Sequence, residues 1–337
     1  MRMRERRRAE EISCSIIRRL RTASGDWVSG REIGDALGMS RAAVWKHIMQ
    51  LRSMGYRIEA STRLGYRLLG PEPLHLQIPE SICSRLIMLE STGSTNEFAR
   101  GIADEAESWT VVIAEVQTAG RGRLGREWLS PPGGVWMSII LRPRAPPSEA
   151  FRYTMAASVA VCGSLRDLYG LNARIKWPND VLVNGRKICG ILTEISAELD
   201  IINYVIIGIG INANMSVSSL PEEWNATTVS AELGREISRG ELIARVLGEM
   251  RTLLESGDVY REWVGLSDTI NRRVRIQGFG DVSGLAESLD PDGALILRRD
   301  DGELVRVLAG DCIHLRSAEQ STGARVGGQQ ICAGLRG

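Results

Sequence analysis

The sequence predicts a multidomain α/β (α+β) chain. It has an amino-terminal winged helix-turn-helix, a central body in which strands and helices alternate, and a small all-β module near the carboxyl end. Three observations predict this. Residues 10–53 carry apolar residues at helical spacing, interrupted by short glycine-bearing turns. From residue 86 onward, strand-like and helix-like segments alternate. Residues 270–316 read as short alternating strands separated by "DPDG" and "RDDG" turns.

The composition is that of a water-soluble globular chain: 337 residues, 43% hydrophobic and 25% charged. That length suggests two or three domains. No apolar run approaches the roughly 20 residues of a membrane span. The basic start "MRMRERRRAEE" leads into a charged amphipathic stretch, not a signal-peptide core. The six cysteines, at 14, 83, 162, 189, 312 and 332, form no C-x-x-C pair, so a reducing, cytoplasmic location is expected. His47, His75 and His314 are far apart, which argues against a histidine zinc site or a His-dependent triad. Charge is uneven. Residues 1–70 hold 15 Lys+Arg against 7 Asp+Glu, a net of +8, and the remainder holds 27 against 34, a net of −7. A basic first module on a mildly acidic body points to an anionic polymer as the partner of that module.

The first helix is expected over "EEISCSIIRRLR", with Ile12, Ile16, Ile17 and Leu20 on one face. Ser29 can cap "GREIGDAL", which ends at Gly38, and Ser40 can cap "RAAVWKHIMQLRSM", whose inward stripe is Val44, Ile48 and Leu51. "YRIEASTRLGYRLL" alternates as a hairpin or wing would. Ser40, Arg41, Trp45 and Lys46 then face away from the stripe, as residue types that meet phosphates and base edges in a major groove. The competing reading is a helical hairpin packed on the rest of the chain. "GPEPLHLQIPE" reads as a linker.

In the body, "LIMLES" is a strand, and "STGSTNEFARGIADEA" a polar turn and a helix with Phe98 and Ile102 on one face. Ser94 or Thr95 is placed to cap that helix, whose N-terminus can also hold an anion. "WTVVIAEVQ" is a buried strand that puts Gln117 at the root of "TAGRGRLGREW". Read literally, "GRGRLG" is the dinucleotide fingerprint. That reading fails, because the prolines and glycines of "SPPGG" leave no room for the required helix and no acidic residue follows about 20 positions on. What remains is a flexible loop carrying Arg121, Arg123 and Arg126, suited either to closing over a carboxylate or phosphate or to plain solvent exposure.

"FRYTMAASVAVCGSLRDLYG" is a long apolar-faced helix. In "KWPNDVLVNGRKICGIL", Asn184-Gly185 is a hairpin signal that fixes Lys187 just past a tight turn, with Gly190 in the strand interior. Pro178 holds Trp177 extended, and Asn179 and Asp180 can face a base edge, a metal or solvent. "YVIIGIGINANM" is an apolar strand whose Gly208 and Gly210 imply either a close ligand or sheet crowding, followed by Asn212. The body lacks a nucleophile–base pair, a metal cluster and a Walker lysine. Its glycines and its cations at Arg121, Arg123 and Lys187 suit chemistry in which the substrates supply the reacting atoms, such as adenylyl transfer to a carboxylate.

Together these segments resemble the bifunctional biotin protein ligases that also act as biotin operon repressors, the BirA type. "LGMSRAAVWKHIMQLRSMGY", "STN", "QTAGRGRLGREW", "KWPNDVLVNGRKICGIL", "GIGINAN" and "GALILRRDDGELVRVLAGDCIHLR" occur in the family's order and spacing, from about residue 10 to 316. The resemblance implies a winged helix-turn-helix over 1–70, a linker over 71–80, and a class II aminoacyl-tRNA-synthetase-like biotin ligase domain over 81–268. It further implies a mixed sheet in that domain and an SH3-like barrel over 269–316; the tail 317–337, "SAEQSTGARVGGQQICAGLRG", has no counterpart in the family and reads as disordered. It implies that biotin and ATP, with Mg²⁺, form biotinyl-5′-AMP, whose acyl group passes to a lysine of a biotin carboxyl carrier protein. Operator DNA and a ligand-induced homodimer follow from the same resemblance.

Carried over by position, Ser94, Thr95, Asn96 and Gln117 line the biotin ureido pocket, and Gly120, Arg121, Gly122 and Arg123 form the loop that orders over biotin and adenylate. Lys187 meets the biotin carboxylate and α-phosphate, and Gly190 leaves room for the ligand. Arg123, Arg126, Trp128, Asn179, Lys187 and Asn212 face the nucleotide, and Asp180 is the candidate Mg²⁺ ligand. Arg121, Arg123 and Lys187 carry the catalysis. Where family members place an aromatic over adenine, in the segment matching "EEWNATTVSAEL", the alignable position is Ala226 or Thr227, with Trp224 slightly early. Alternatives to the combined function are a ligase with no repressor role and a ligand-sensing transcription factor without catalysis. A lipoate or octanoate transferase shares the fold but lacks the paired "GRGRxGR" and "KWPND".

Overall fold

Apolar stripes and capping residues set the amino-terminal helices. In the computed structural model the described residues are 12–315, apart from 14, 24, 54–55, 70–77 and 279–280. The basic start, most of the proline-bearing linker, the tail, Cys14, Cys332 and His75 lie outside them. The chain divides into two compact units, residues 1–79 with 238–244 and residues 80–237 with 245–337.

In the first unit, residues 12–13 and 15–22 are helical (α1), followed by α2 (Gly30–Leu37), α3 (Arg41–Ser53) and the hairpin β1 (Ile58–Ser61) and β2 (Gly65–Leu68). Ser29 Oγ accepts from Arg31 N–H at 3.2 Å and Ser40 Oγ from Ala43 N–H at 3.2 Å, the two caps expected from the sequence. Gly38 closes α2 in the left-handed conformation, φ 63°. Ile16, Leu20, Ile33, Val44 and Ile48 are fully buried in one cluster. Removing such stripes from water stabilises a small domain by roughly 1.5–3 kcal/mol per large side chain.

The second unit is built on a seven-stranded sheet in the order β3-β4-β5-β9-β8-β7-β6. Its strands are β3 (Arg85–Thr92), β4 (Thr110–Gln117), β5 (Val135–Leu141), β6 (Ala173–Lys176), β7 (Asp180–Val183), β8 (Arg186–Glu198) and β9 (Ile201–Ile211). Only β3 and β4 pair in parallel, through the crossover helix α4 (Thr95–Ile102); the other neighbours are antiparallel. The long helix α5 (Ala150–Tyr169) packs on β6, β8 and β9, and every residue from Tyr153 to Cys162 along it is buried. α6 (Val229–Leu233), α7 (Arg239–Ser256) and α8 (Val259–Gly265) follow, α7 having residues in both units.

The carboxyl end of the unit is a five-stranded antiparallel sheet, in the order β13-β12-β11-β10-β14: β10 (Arg273–Gln277), β11 (Val282–Leu289), β12 (Leu295–Arg298), β13 (Leu304–Val307) and β14 (Asp311–His314). The "DPDG" and "RDDG" turns fall between its strands, and Gly293 and Gly302 take positive φ there. Among the described residues no helix is long and apolar enough to cross a membrane.

Candidate active site

The carboxyl ends of β4 and α4's start, the β7–β8 hairpin and the edge of the five-stranded sheet surround one cavity of about 1250 Å³. One pole is neutral and polar. Gln117, the last residue of β4, accepts from Thr95 N–H at 2.8 Å and Thr95 Oγ1 at 3.0 Å, and donates to Ser130 Oγ at 2.7 Å. Ser138 offers its single proton to Asn96 Oδ1 at 2.6 Å and Thr95 Oγ1 at 2.8 Å, while Asn96 donates to Glu194 Oε2 at 2.9 Å. Ser94, Thr95 and Asn96 are all at most 5% exposed. Ser94 does occupy the N-cap of α4, but its side chain makes no capping bond. The expected cap thus differs: the backbone N–H of Thr95 is satisfied by Gln117. The polar groups here are already locked to one another, which presets their directions for a ligand with both donors and acceptors.

The other pole is cationic. The Asn184-Gly185 turn has φ of 52° and 73°, the left-handed pair of a type I′ hairpin. It starts β8 at Arg186, and Lys187 is clamped from outside as well: its N–H donates to Asn225 O at 2.9 Å and its carbonyl accepts from Thr227 N–H at 2.8 Å. Lys187 Nζ sits 2.7 Å from Asp180 Oδ1 and 5.1 Å from the centre of the Trp128 ring. The Trp177–Pro178 peptide is cis, and the turn it forms aims Asn179 back at β8, where Asn179 donates to Ile191 O at 2.6 Å. Asn179 Oδ1 accepts from Arg123 at 3.0 Å. Arg123 is drawn below the ordinary guanidinium pKa by burial, with Asp311 and Asp180 opposing.

The glycine loop crosses between the poles. Arg121 pairs with Glu97 at 2.7 Å, and Arg126 pairs with Asp311 of β14. Gly120 is forced by proximity: a Cβ there would lie 2.4 Å from Trp128 O and 2.8 Å from Ser130 Oγ. Each cation of the loop and hairpin is therefore held by an acidic or amide partner.

Gly190 and Gly210 have a visible neighbour. A Cβ would lie 2.9 Å from the Trp128 ring at Gly190 and 2.5 Å from its Nε1 at Gly210, and at Gly208 it would lie 2.3 Å from Asn96 Oδ1. The strand glycines make room for Trp128 and Asn96, two side chains that themselves line the cavity. The Trp128 Nε1–H is buried against Gly210 and has no hydrogen-bond partner there. Asn212, 2% exposed, donates to Thr227 O at 3.1 Å while lining the same space. Trp224 reaches the wall from the segment that carries Ala226, whereas Thr227 is fully buried.

The structure thus brings the sequence-predicted biotin and nucleotide residues to one cavity, except that Gly120 lies just behind its wall. Ser40, Arg41, Trp45 and Lys46 all lie exposed on or beside α3 in the first unit. Sequence reading passed over Ser130, Ser138, Glu97, Glu194 and Asp311. Ser138 left a signal, a lone hydroxyl amid the apolar "VWMSIIL". The partners of the arginines left none. Among the described residues no group of three His, Cys, Asp or Glu could hold a metal.

Three family descriptions match the chain: HTH domain over residues 14–67, Biotin/lipoate A/B protein ligase family over 88–212, and Biotin protein ligase C terminal domain over 269–315. The chain is 39% identical over 299 residues to the bifunctional ligase/repressor BirA of Bacillus subtilis, covering 83% of this chain and 92% of that protein. It is 34% identical over 314 residues to the protein of the same name from Escherichia coli, covering 88% and 96%. A biotin protein ligase from Aquifex aeolicus, solved with biotin and ATP, superposes with a TM-score of 0.58 at 28% identity, over 69% of this chain and 99% of that one.

Proposed function

The chain belongs to the bifunctional biotin ligase/repressor family, and from that premise we propose how its own residues carry out the two activities. It is an ATP-dependent biotin protein ligase with a DNA-binding repressor domain. In the first step a carboxylate oxygen of biotin attacks the α-phosphorus of ATP, the bond to the β-phosphate oxygen breaks, and biotinyl-5′-AMP and pyrophosphate result. In the second, the amine of an acceptor lysine on a biotin carboxyl carrier protein attacks the acyl carbon and AMP leaves.

The observation that supports this reading is the joining of a locked neutral pole and a cationic pole in one cavity. Ser94, Thr95, Asn96 and Gln117 would direct donors and acceptors at the ureido ring. Lys187, Arg121 and Arg123 would neutralise the approaching carboxylate and phosphate, whose repulsion otherwise raises the barrier. To do so they exchange Asp180, Glu97 and Asn179 for substrate oxygens. The loop at 120–126, closed over the intermediate, would shield the anhydride from water. Trp128, Asn179 and Asn212 would face the nucleotide, with Trp224 the aromatic that this segment offers to adenine. Mg²⁺, when bound, would supply further charge neutralisation. Asp180, in the cavity beside Lys187, is the carboxylate that would hold it.

Biotin-dependent exchange of labelled pyrophosphate into ATP, repeated with lipoate, tests the ligase half. Exchange with biotin and none with lipoate is expected; the reverse preference would overturn the substrate assignment. A gel shift and sedimentation run, each with and without biotin plus ATP, test the operator binding and ligand-induced homodimer that complete the reading.

A further inference from the structure

The five-stranded sheet contributes its last strand to the cavity wall, and β14 places a histidine there. His314 is 16% exposed in its side chain. Its Nε2 lies 3.1 Å from Thr269 Oγ1, and that oxygen accepts the Trp177 N–H at 2.9 Å. The same stretch is tied on both sides: Ile175 N–H donates to Leu266 O at 2.9 Å, and Asp268 N–H to Ile175 O at 2.7 Å. The turn that presents Asn179 to Arg123 and Asp180 to Lys187 is held on one side by the β6–β7 ladder and by Ile191 of β8, and on the other by residues 266–269 and by Gly293, whose carbonyl accepts the Trp177 indole N–H; Thr269 is the side chain that fixes the Trp177 backbone.

The charged groups facing the ring are Lys176, Asp268 and Arg272. Asp268 Oδ2 is 3.7 Å from Nδ1 and pairs with Arg272 at 2.7 Å, while Lys176 lines the same wall. Burial foremost, then Lys176, pushes the His314 pKa down to about 4 against the pull of Asp268, with Arg272 lowering it slightly further. Near pH 7 the ring is neutral. With its one proton on Nδ1, towards Asp268, Nε2 accepts the Thr269 hydroxyl proton. Donating that proton leaves the hydroxyl lone pairs for the Trp177 N–H.

We propose that His314 is a positioning residue for adenylate formation, acting through the Thr269 hydroxyl to hold the 176–180 turn where Asn179 and Asp180 meet Arg123 and Lys187. Its role runs through that hydroxyl and the turn it fixes. The inference rests on the proposed placement of the nucleotide beside those residues. The neutral pole is built from α4 and β4 and does not depend on this chain of bonds.

The test is pyrophosphate exchange by the full chain as wild type, His314→Leu, His314→Gln and Thr269→Val, titrated separately in ATP and biotin, with thermal unfolding of each. His314→Leu and Thr269→Val are expected to reduce kcat/KM for ATP about tenfold, the loss of one hydrogen bond's worth of orientation (about 1.4 kcal/mol), with the biotin KM unchanged. His314→Gln, whose amide oxygen can accept the same proton, is expected to recover most of it. Wild-type constants in His314→Leu, equal impairment of Leu and Gln variants, or a parallel rise in the biotin KM would each overturn the proposal. If His314→Leu does not fold, His314→Gln against Thr269→Val gives the same comparison. A wild-type protein without exchange would strike the ligase reading itself, before any variant is compared.

Discussion

At the scale of single residues, the site depends on contacts that glycine alone permits. Gly210→Ala would set a methyl within 2.5 Å of the Trp128 indole nitrogen, and in a packed strand neither neighbour can yield freely. The expected outcome is a displaced Trp128, seen as altered tryptophan fluorescence, a stability loss of about 1–3 kcal/mol and a raised KM for ATP. Unaltered fluorescence and KM would show that the glycine serves only the strand. Lys187→Ala removes the ammonium and leaves Asp180 without its cation, so pyrophosphate exchange should fall by two or more orders of magnitude; near-normal exchange would contradict the assigned role. Arg123→Gly should release biotinyl-AMP and label bystander lysines, and full retention of the intermediate would remove the loop from the shielding role. Much of this was legible. Lys187 and Gly190 stood out because a tight turn and an interior glycine are rare signals with few causes. The carboxylates that hold the arginines were not legible, because Glu97 and Asp311 lie 24 and 185 residues from their partners and only the fold brings them near.

At the scale of elements, the amino-terminal helices follow local rules and were read almost residue by residue, since caps and stripes are short-range in sequence. Ser40→Ala should destabilise the first unit by about 1 kcal/mol through loss of the α3 cap. Replacing Arg41 and Lys46 with alanine should weaken operator binding and lower its salt dependence by about one unit per lost phosphate contact, leaving exchange intact. Unchanged operator affinity would move the recognition surface off α3. β14 carries a pH dependence. The folded pKa of His314 is depressed to about 4 from 6.5, so between those values the unfolded chain binds more protons. Stability from this group is present above pH 6.5 and is lost as pH falls towards 4. Denaturant unfolding at stepped pH should show that slope in wild type and a shallower one in His314→Gln. At the start of α4 the sequence placed the cap correctly at Ser94 but not its bond: the Ser94 side chain makes none, and Gln117, at the end of β4, accepts the Thr95 N–H instead.

At the scale of the whole chain, the order of modules was legible because each has its own periodicity: helical in the first unit, mixed in the body, strictly short-stranded at the end. The shared wall was not. That the carboxyl-terminal sheet contributes Asp311 and His314 to the cavity is a property of tertiary packing, and no spacing in the sequence reports it. The proposed chemistry needs one cavity with one pole for a ureido ring and one for a carboxylate meeting a phosphate. The most direct measurement is biotin-dependent exchange of pyrophosphate into ATP by the purified full chain with magnesium. Robust exchange with biotin, abolished in Lys187→Ala and absent with lipoate, is the predicted result. No exchange in the wild-type protein, or exchange indifferent to Lys187, would contradict it.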